Sequence, residues 1–229
     1  MKLTLEKIVL ASIHLGHATC YWNPKIAPYT YSVRNGIHII DLVKTLEKID
    51  KARKFISRIS LEGKSVLFVG TKNQASSLIR RRASASESFF VNKRWLGGIL
   101  TNISTIQISL FQLHRFKRQK KNGEWNRLPK KKIIFLQKRI ERLNQYVGGL
   151  KGINKLPGVV IIIRQKKELT AVLECLKLNI PRICRVDTDC NPNLVKIRIP
   201  INDDSALRIS LFLQVLLLGI EEGRISQNI

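Results

Sequence analysis

Forty-one Lys and Arg against sixteen Asp and Glu leave this chain of 229 residues with a formal net charge of +25. Such a surface repels itself and calls for a polyanion, nucleic acid first and an anionic membrane surface second. The hydrophobic fraction of 44% is ordinary for a globular protein, and the most apolar stretch, 207–220, is interrupted by Arg208 and Gln214, which excludes a membrane span of ~20 apolar residues.

In chain order, residues 5–15 have a helical look through Ile8, Leu10, Ile13 and Leu15, with Thr4 or Ser12 as boundaries. The segment lacks the apolar core of a signal peptide and is not an acid-free, Arg- and Ser-rich transit sequence, so the chain is expected to be made where it is used. Asn23-Pro24 and Ala27-Pro28 break it into an extended loop holding Tyr21, Trp22, Lys25, Tyr29 and Tyr31. Aromatics among cations suit RNA contact, and they suit equally an aromatic arm packed on its own domain. Arg34 follows, and then residues 37–40 read as a buried strand ending at Asp41. Val43, Leu46, Ile49, Ala52, Ile56 and Ile59 recur at helical spacing. Residues 66–69 form a second buried strand, followed by Gly70-Thr71-Lys72 and a polar helix through Arg80, Arg81 and Arg82. A third strand covers 89–91.

Asn92-Lys93-Arg94-Trp95-Leu96-Gly97-Gly98 comes next, two cations and an indole before paired glycines. Lys93 and Arg94 put charge beside a flat face suited to stacking on a base, while a strand end, a turn and a buried Trp are the plainer account. Residues 103–146 carry two helical periods, Leu110, Leu113 and Phe116, then Ile133, Leu136, Ile140 and Leu143, separated by Asn122-Gly123 and Pro129. Cations crowd this part: Arg115, Lys117, Arg118, Lys120, Lys121, Arg127, Lys130, Lys131, Lys132, Lys138, Arg139 and Arg142. Only Glu124 and Glu141 oppose them between Arg115 and Arg142, whereas ordinary solvated helices mix signs. The spacing predicts two antiparallel helices, coiled-coil-like, inserted at 103–147 between core segments 1–102 and 148–229.

After Gly148-Gly149, residues 159–163 are fully apolar, as central parallel strands are. A helix over 168–178, a strand over 181–186 closed by Asp187, a turn at Asn191-Pro192 and an edge strand over 196–199 follow. Asp203, Asp204 and Ser205 offer caps for a last helix over 206–222. Alternating strands and helices imply right-handed crossovers and an α/β fold with a parallel sheet of about five strands covered on both faces, a flavodoxin-like three-layer core. Cys20, Cys175, Cys184 and Cys190 lack zinc-ribbon spacing and read as free thiols.

The order and wording of several blocks resemble the family of small-subunit ribosomal protein two, in its bacterial and organellar form. They are Gly16-His17-Ala18-Thr19 with Trp22-Asn23-Pro24-Lys25, Asn35-Gly36-Ile37-His38, Phe68-Val69-Gly70-Thr71-Lys72, the stretch from Phe89 to Asn102, Gly148-Gly149-Leu150, Val186-Asp187-Thr188 and Ile199-Pro200-Ile201-Asn202. Asn126-Arg127-Leu128-Pro129-Lys130 and Ile180-Pro181-Arg182 look most like the plastid and cyanobacterial branch. The resemblance agrees on the fold and on a helical-hairpin insert. It implies a structural ribosomal protein that binds 16S-type rRNA beside neighbouring small-subunit proteins, at the junction of head and body, in a plastid stroma or a bacterial cytoplasm. It also marks Trp22 and Trp95 as signature aromatics.

Weighed on the residues, Lys25, Arg34, Lys72, Arg80, Arg81, Arg82, Lys93, Arg94 and the insert's Arg115, Lys117, Arg118, Lys120, Lys121, Lys130, Lys131 and Lys132 are the candidate RNA contacts. Asp41, Lys72, Arg164 and Asp187 at strand ends suggest an enzyme acting on a phosphorylated substrate. Against it, Gly70-Thr71-Lys72 lacks the upstream glycine of a phosphate-cradling loop, no strand is followed by a dinucleotide turn, and relatives in the plastid branch tend to carry an acid near Arg164 and Gln165. His14 and His17, three apart, suit polar packing or RNA contact ahead of a structural metal shared with a distant Asp. His38 reads as a hydrogen-bonded core histidine. No catalytic residue, cofactor, resident metal, membrane contact or small-molecule substrate is assigned; a non-ribosomal RNA chaperone remains the other alternative.

Overall fold

The computed structural model describes residues 13–202 and 205–227. Two runs of four aliphatic or aromatic residues set its centre, Val66–Val69 (β4) and Val159–Ile162 (β6). Both are buried on both faces, as the middle strands of a parallel sheet must be. They pair in parallel with Leu67 beside Val160. Phe89–Val91 (β5) joins the far side of β4, while Arg182–Val186 (β7) and Ile197–Pro200 (β8) extend the sheet past β6, all in parallel. The order β5-β4-β6-β7-β8 is flavodoxin-like, with the winding direction reversing between β4 and β6. The strand over 196–199 does lie at the sheet's edge.

Alternation along the central strands sorts their side chains into two helical layers. Val66, Phe68, Val159, Ile161 and Ile163 share a cluster with residues of Leu42–Leu61 (α1), Asn73–Ala85 (α2) and Ala206–Gln227 (α6). Leu67, Val69, Val160 and Ile162 face the other way, toward Leu169–Lys177 (α5), the loop after β5, and Ile103–Lys121 (α3) with Lys130–Val147 (α4). A short connection turns α4 back along α3. Gly123 makes the turn with φ 72°, and the adjacent Trp125 is buried under it.

Asp41 begins α1 by accepting the Val43 and Lys44 N–H groups at 3.0 and 3.2 Å, an N-cap rather than a ligand at the end of a parallel strand. Ile49, Ala52, Ile56 and Ile59 then give α1 one buried stripe. Helix α6 lies against it at Gly219 and Gly223. A Cβ on Gly223 would stand 2.2 Å from the Ser57 carbonyl oxygen, a backbone atom that cannot swing aside. Gly223→Ala should therefore destabilise the fold by about 2 kcal/mol, overpacking outweighing the gain in helix propensity. Urea denaturation measures this, and an unchanged or raised midpoint would show that the two helices separate freely.

Other expectations are corrected as well. Residues 37–40 do not belong to the parallel sheet. Ile37–Ile40 (β3) is the centre of a separate antiparallel sheet, between Leu15–Ala18 (β1) and Thr30–Arg34 (β2). The reason is Asn35-Gly36, both left-handed at φ 50° and 73°, which close a two-residue hairpin. Residues 24–29 are not extended but wound into 3-10 turns, begun by Asn23, whose side chain accepts the Lys25 N–H. His38 is buried, yet among the described residues neither ring nitrogen has a hydrogen-bond partner; it stacks on Trp22, ring centroids 4.9 Å apart. Of the expected N-terminal helix, residues 5–12 lie outside the described residues, and Leu15 opens a strand. Asp203 and Asp204 also lie outside them; Ser205 Oγ does accept the Leu207 N–H.

Candidate nucleic-acid interface

Lys93 and Arg94 lie in the loop that leaves β5, and its two ends are anchored. On one side Asn92 Nδ2 donates to the carbonyl and the hydroxyl oxygen of Ser76 in α2, at 3.0 and 3.2 Å. On the other, the buried Glu174 of α5 gathers the loop around its carboxylate. Oε1 accepts from Trp95 Nε1 at 2.9 Å and Gly98 N at 2.8 Å; Oε2 accepts from Leu100 N at 3.0 Å, Thr101 N at 3.2 Å and Thr101 Oγ1 at 3.5 Å. Gly98 meets the carboxylate at φ 91°, a conformation that favours glycine. Trp95 is only 8% exposed, so it packs and leaves no face for a base. Between these anchors Lys93 and Arg94 are exposed.

Helix α2 presents Arg80 and Arg81 to solvent beside them, while Arg82 is half-buried and Lys72 sits half-buried at the helix's start. Arg80, Arg81 and Lys93 line one open cleft with Asn73, Ser76 and Ser84. A second cleft of ≈ 700 Å³ adjoins it, sharing Arg80, Ser84, Asn92 and Lys93 and adding Lys117 of α3, Glu141, Asn144 and Gln145 of α4, and Lys151. Lys117 Nζ donates to Asn144 Oδ1 at 3.1 Å. Burial, and then the neighbouring Lys151 ammonium, push the Lys117 pKa below its ordinary value. Lys151 is held there because the chain returns past β5 at Gly149, where a Cβ would stand 2.1 Å from the Phe90 carbonyl oxygen.

Charge is matched elsewhere. On α1 and α6, Lys51 pairs with Glu47, Arg53 with Asp50 and Glu222, Lys54 with Asp50, and Arg224 with Glu87. Among the described residues no carboxylate pairs with Arg80, Arg81, Lys93 or Arg94. Arg115, Arg118, Lys120, Lys121, Lys130, Lys131 and Lys132 are exposed along the helical pair, with Lys120 Nζ 5.8 Å above the Trp125 ring. Lys25 and Arg34 are exposed on the small sheet and its preceding turn, and line neither cleft. Lys151, Asn144 and Gln145 were missed among the sequence candidates; only the glycine pair at 148–149 signals that this corner is tightly packed.

The crevice where the parallel sheet reverses is the usual ligand position for this topology. Here its residues bind one another. Glu168 Oε1 accepts from Thr71 N at 2.8 Å and from Thr71 Oγ1 at 2.6 Å, Lys167 Nζ donates to the Thr71 carbonyl, and Gly70 is pressed between Ile79 and Ile163. His14 and His17 share no helix: His17 lies in β1, its Nδ1 3.2 Å from Asp187 Oδ1. Among the described residues no group of three His, Cys, Asp or Glu could hold a metal ion. The four cysteines are free, and burial pushes the Cys175 thiol up to about 12.

The model of the family described as Ribosomal protein S2 matches residues 8–223. A protein of Mesostigma viride named small ribosomal subunit protein uS2c is 46% identical over 220 residues, covering 96% of each chain. Its namesake from Porphyra purpurea is 42% identical over 98% of this chain and 93% of its own. Small ribosomal subunit protein uS2 of the cyanobacterium Nostoc punctiforme is 43% identical, covering 98% of this chain and 85% of its own. These relatives carry the names of ribosomal constituents, not of enzymes. With a match of that length and relatives of that identity, the chain belongs to the ribosomal protein S2 family.

Proposed function

We propose that this protein is a structural constituent of the small ribosomal subunit, which binds 16S-type rRNA through its unmatched cations and takes part in assembling the particle. The near-complete family match carries the assignment. The placement of Arg80, Arg81, Lys93 and Lys117 around adjoining clefts supports the mechanism, phosphate neutralisation by Lys with bridging of phosphate oxygens by Arg. Exposed aromatics such as Tyr21 and Tyr31, with Ile108, Phe111 and Phe135 on the helical pair, are available to neighbouring small-subunit proteins. The plastid-type and cyanobacterial relatives favour a plastid stroma, with a bacterial cytoplasm as the alternative.

The test is co-sedimentation. The protein should remain with small subunits after a high-salt wash, and release into a free pool would favour a loosely associated RNA chaperone. A second measurement concerns the helical pair. Deleting the outer part of the pair, 115–139, which keeps Ile106, Leu110 and Leu113 in the core, should leave a folded protein that is not incorporated into particles, and normal incorporation of that variant would remove the pair's part in assembly.

A further inference from the structure

We infer that the trough between α2, β5 and the α3–α4 pair seats the sugar-phosphate backbone of an RNA strand, with Lys117 and Lys151 on one wall and Arg80 and Lys93 on the other. The inference deepens the rRNA-binding function proposed above and rests on it.

Lys117 is half-buried and donates to Asn144, and Lys151, a second ammonium, lines the same cleft and repels it. A phosphate near both would turn that repulsion into attraction, most strongly where water is partly excluded. Glu141 is the one acid on a lining that carries four cations, Arg80, Lys93, Lys117 and Lys151. The remaining polar lining is neutral. The amides of Asn92, Asn144 and Gln145 and the Ser84 hydroxyl both donate and accept, which suits ribose hydroxyls as well as phosphate oxygens.

Shape separates a polymer from a free ion. The cleft, at ≈ 700 Å³, is far larger than one phosphate, and it runs into a second of ≈ 670 Å³ through four shared lining residues. The track continues past Arg81 along α2. Trp95 is buried, and among the described residues Phe90 is the one aromatic on either lining, half-buried with its ring packed on the core and against Gly149, so neither presents a face for base stacking. Contact is therefore to backbone, independent of base identity. A strand lying in the trough would touch the α/β core and the helical pair at once, and so fix their relative orientation on the particle.

The experiment compares variants of equal charge loss by fluorescence anisotropy with small-subunit rRNA fragments. Lys117→Gln with Lys151→Gln should weaken binding about ten-fold or more and flatten the slope of log affinity against log salt by roughly 1 to 2. Lys130→Gln with Lys131→Gln, away from the trough, should weaken it only about three-fold. Arg80→Gln with Lys93→Gln tests the opposite wall and serves if the first pair fails to fold. Equal losses from trough and control pairs would overturn the trough while leaving rRNA binding intact. Failure of the unaltered protein to bind rRNA would overturn the proposed function itself. Inorganic phosphate is the second probe: saturation of Lys117 and Lys151 by phosphate that RNA does not displace would make this a free-ion site and overturn the polymer assignment.

Discussion

The affinity of this protein for small-subunit rRNA should fall roughly a thousand-fold or more between 50 and 200 mM salt. Each phosphate that a Lys or Arg neutralises releases a condensed counterion, so the loss grows with the number of contacts. About six to ten contacts suffice for a change of that size. The chain can supply them. It carries a net +25, and Arg80, Arg81, Lys93, Arg94 and the row along α3 and α4 are exposed. Filter binding or anisotropy across a salt series gives the slope directly. A flat response would mean that the cations are not the source of affinity, and would leave +25 without an explanation.

Glu174→Ala should lower the stability of the isolated protein by roughly 4 kcal/mol. Its carboxylate receives the Trp95 indole N–H and the backbone N–H groups of Gly98, Leu100 and Thr101. Alanine leaves all of them without an acceptor, at about 1–3 kcal/mol for each that water cannot reach. Thr101 is exposed and Gly98 half-buried, so water relieves part of the loss there. Trp95 and Leu100 are buried and take the full effect. Against a total stability of about 5–15 kcal/mol, that is between about a quarter and four-fifths of what holds the fold together. Glu174→Gln keeps one acceptor oxygen and should fall between the two. Urea denaturation separates the three proteins; a loss below about 1 kcal/mol for alanine would show that the loop does not depend on this carboxylate.

Much of the architecture was legible because it is local. The parallel strands are apolar on both faces, so 66–69 and 159–163 stand out as unbroken runs. The α1 stripe and the two helical periods around Asn122-Gly123 and Pro129 follow from spacing alone. What could not be read depends on partners far along the chain. Glu174 lies on a mostly apolar helix and resembles any solvent-facing acid until Trp95 and the loop fold over it, 79 positions away. Trp95 beside two cations suggests base stacking only as long as that partner is unknown. Lys151 meets Lys117 because Gly149 lets the chain lie against Phe90, a contact without any periodic signature. One local signal was overlooked. Asn35-Gly36 is a strong hairpin marker, and it would have moved 37–40 out of the parallel sheet.

The small antiparallel sheet is joined to the far end of the chain. Asn202 Nδ2 donates to the Leu15 carbonyl, and the His17 and Asn23 N–H groups donate to Thr188 Oγ1 and O, each at 2.9 Å. A nascent polypeptide leaves its ribosome in the opposite order. At about 5–20 residues per second, the 187 positions between Leu15 and Asn202 take roughly ten to forty seconds to synthesise. For all of that interval the first strands wait without their docking surface, and before its end the cationic helices have been made as well. Translation speed thus sets how long an unfinished, strongly charged molecule is exposed to surrounding RNA before its fold can close.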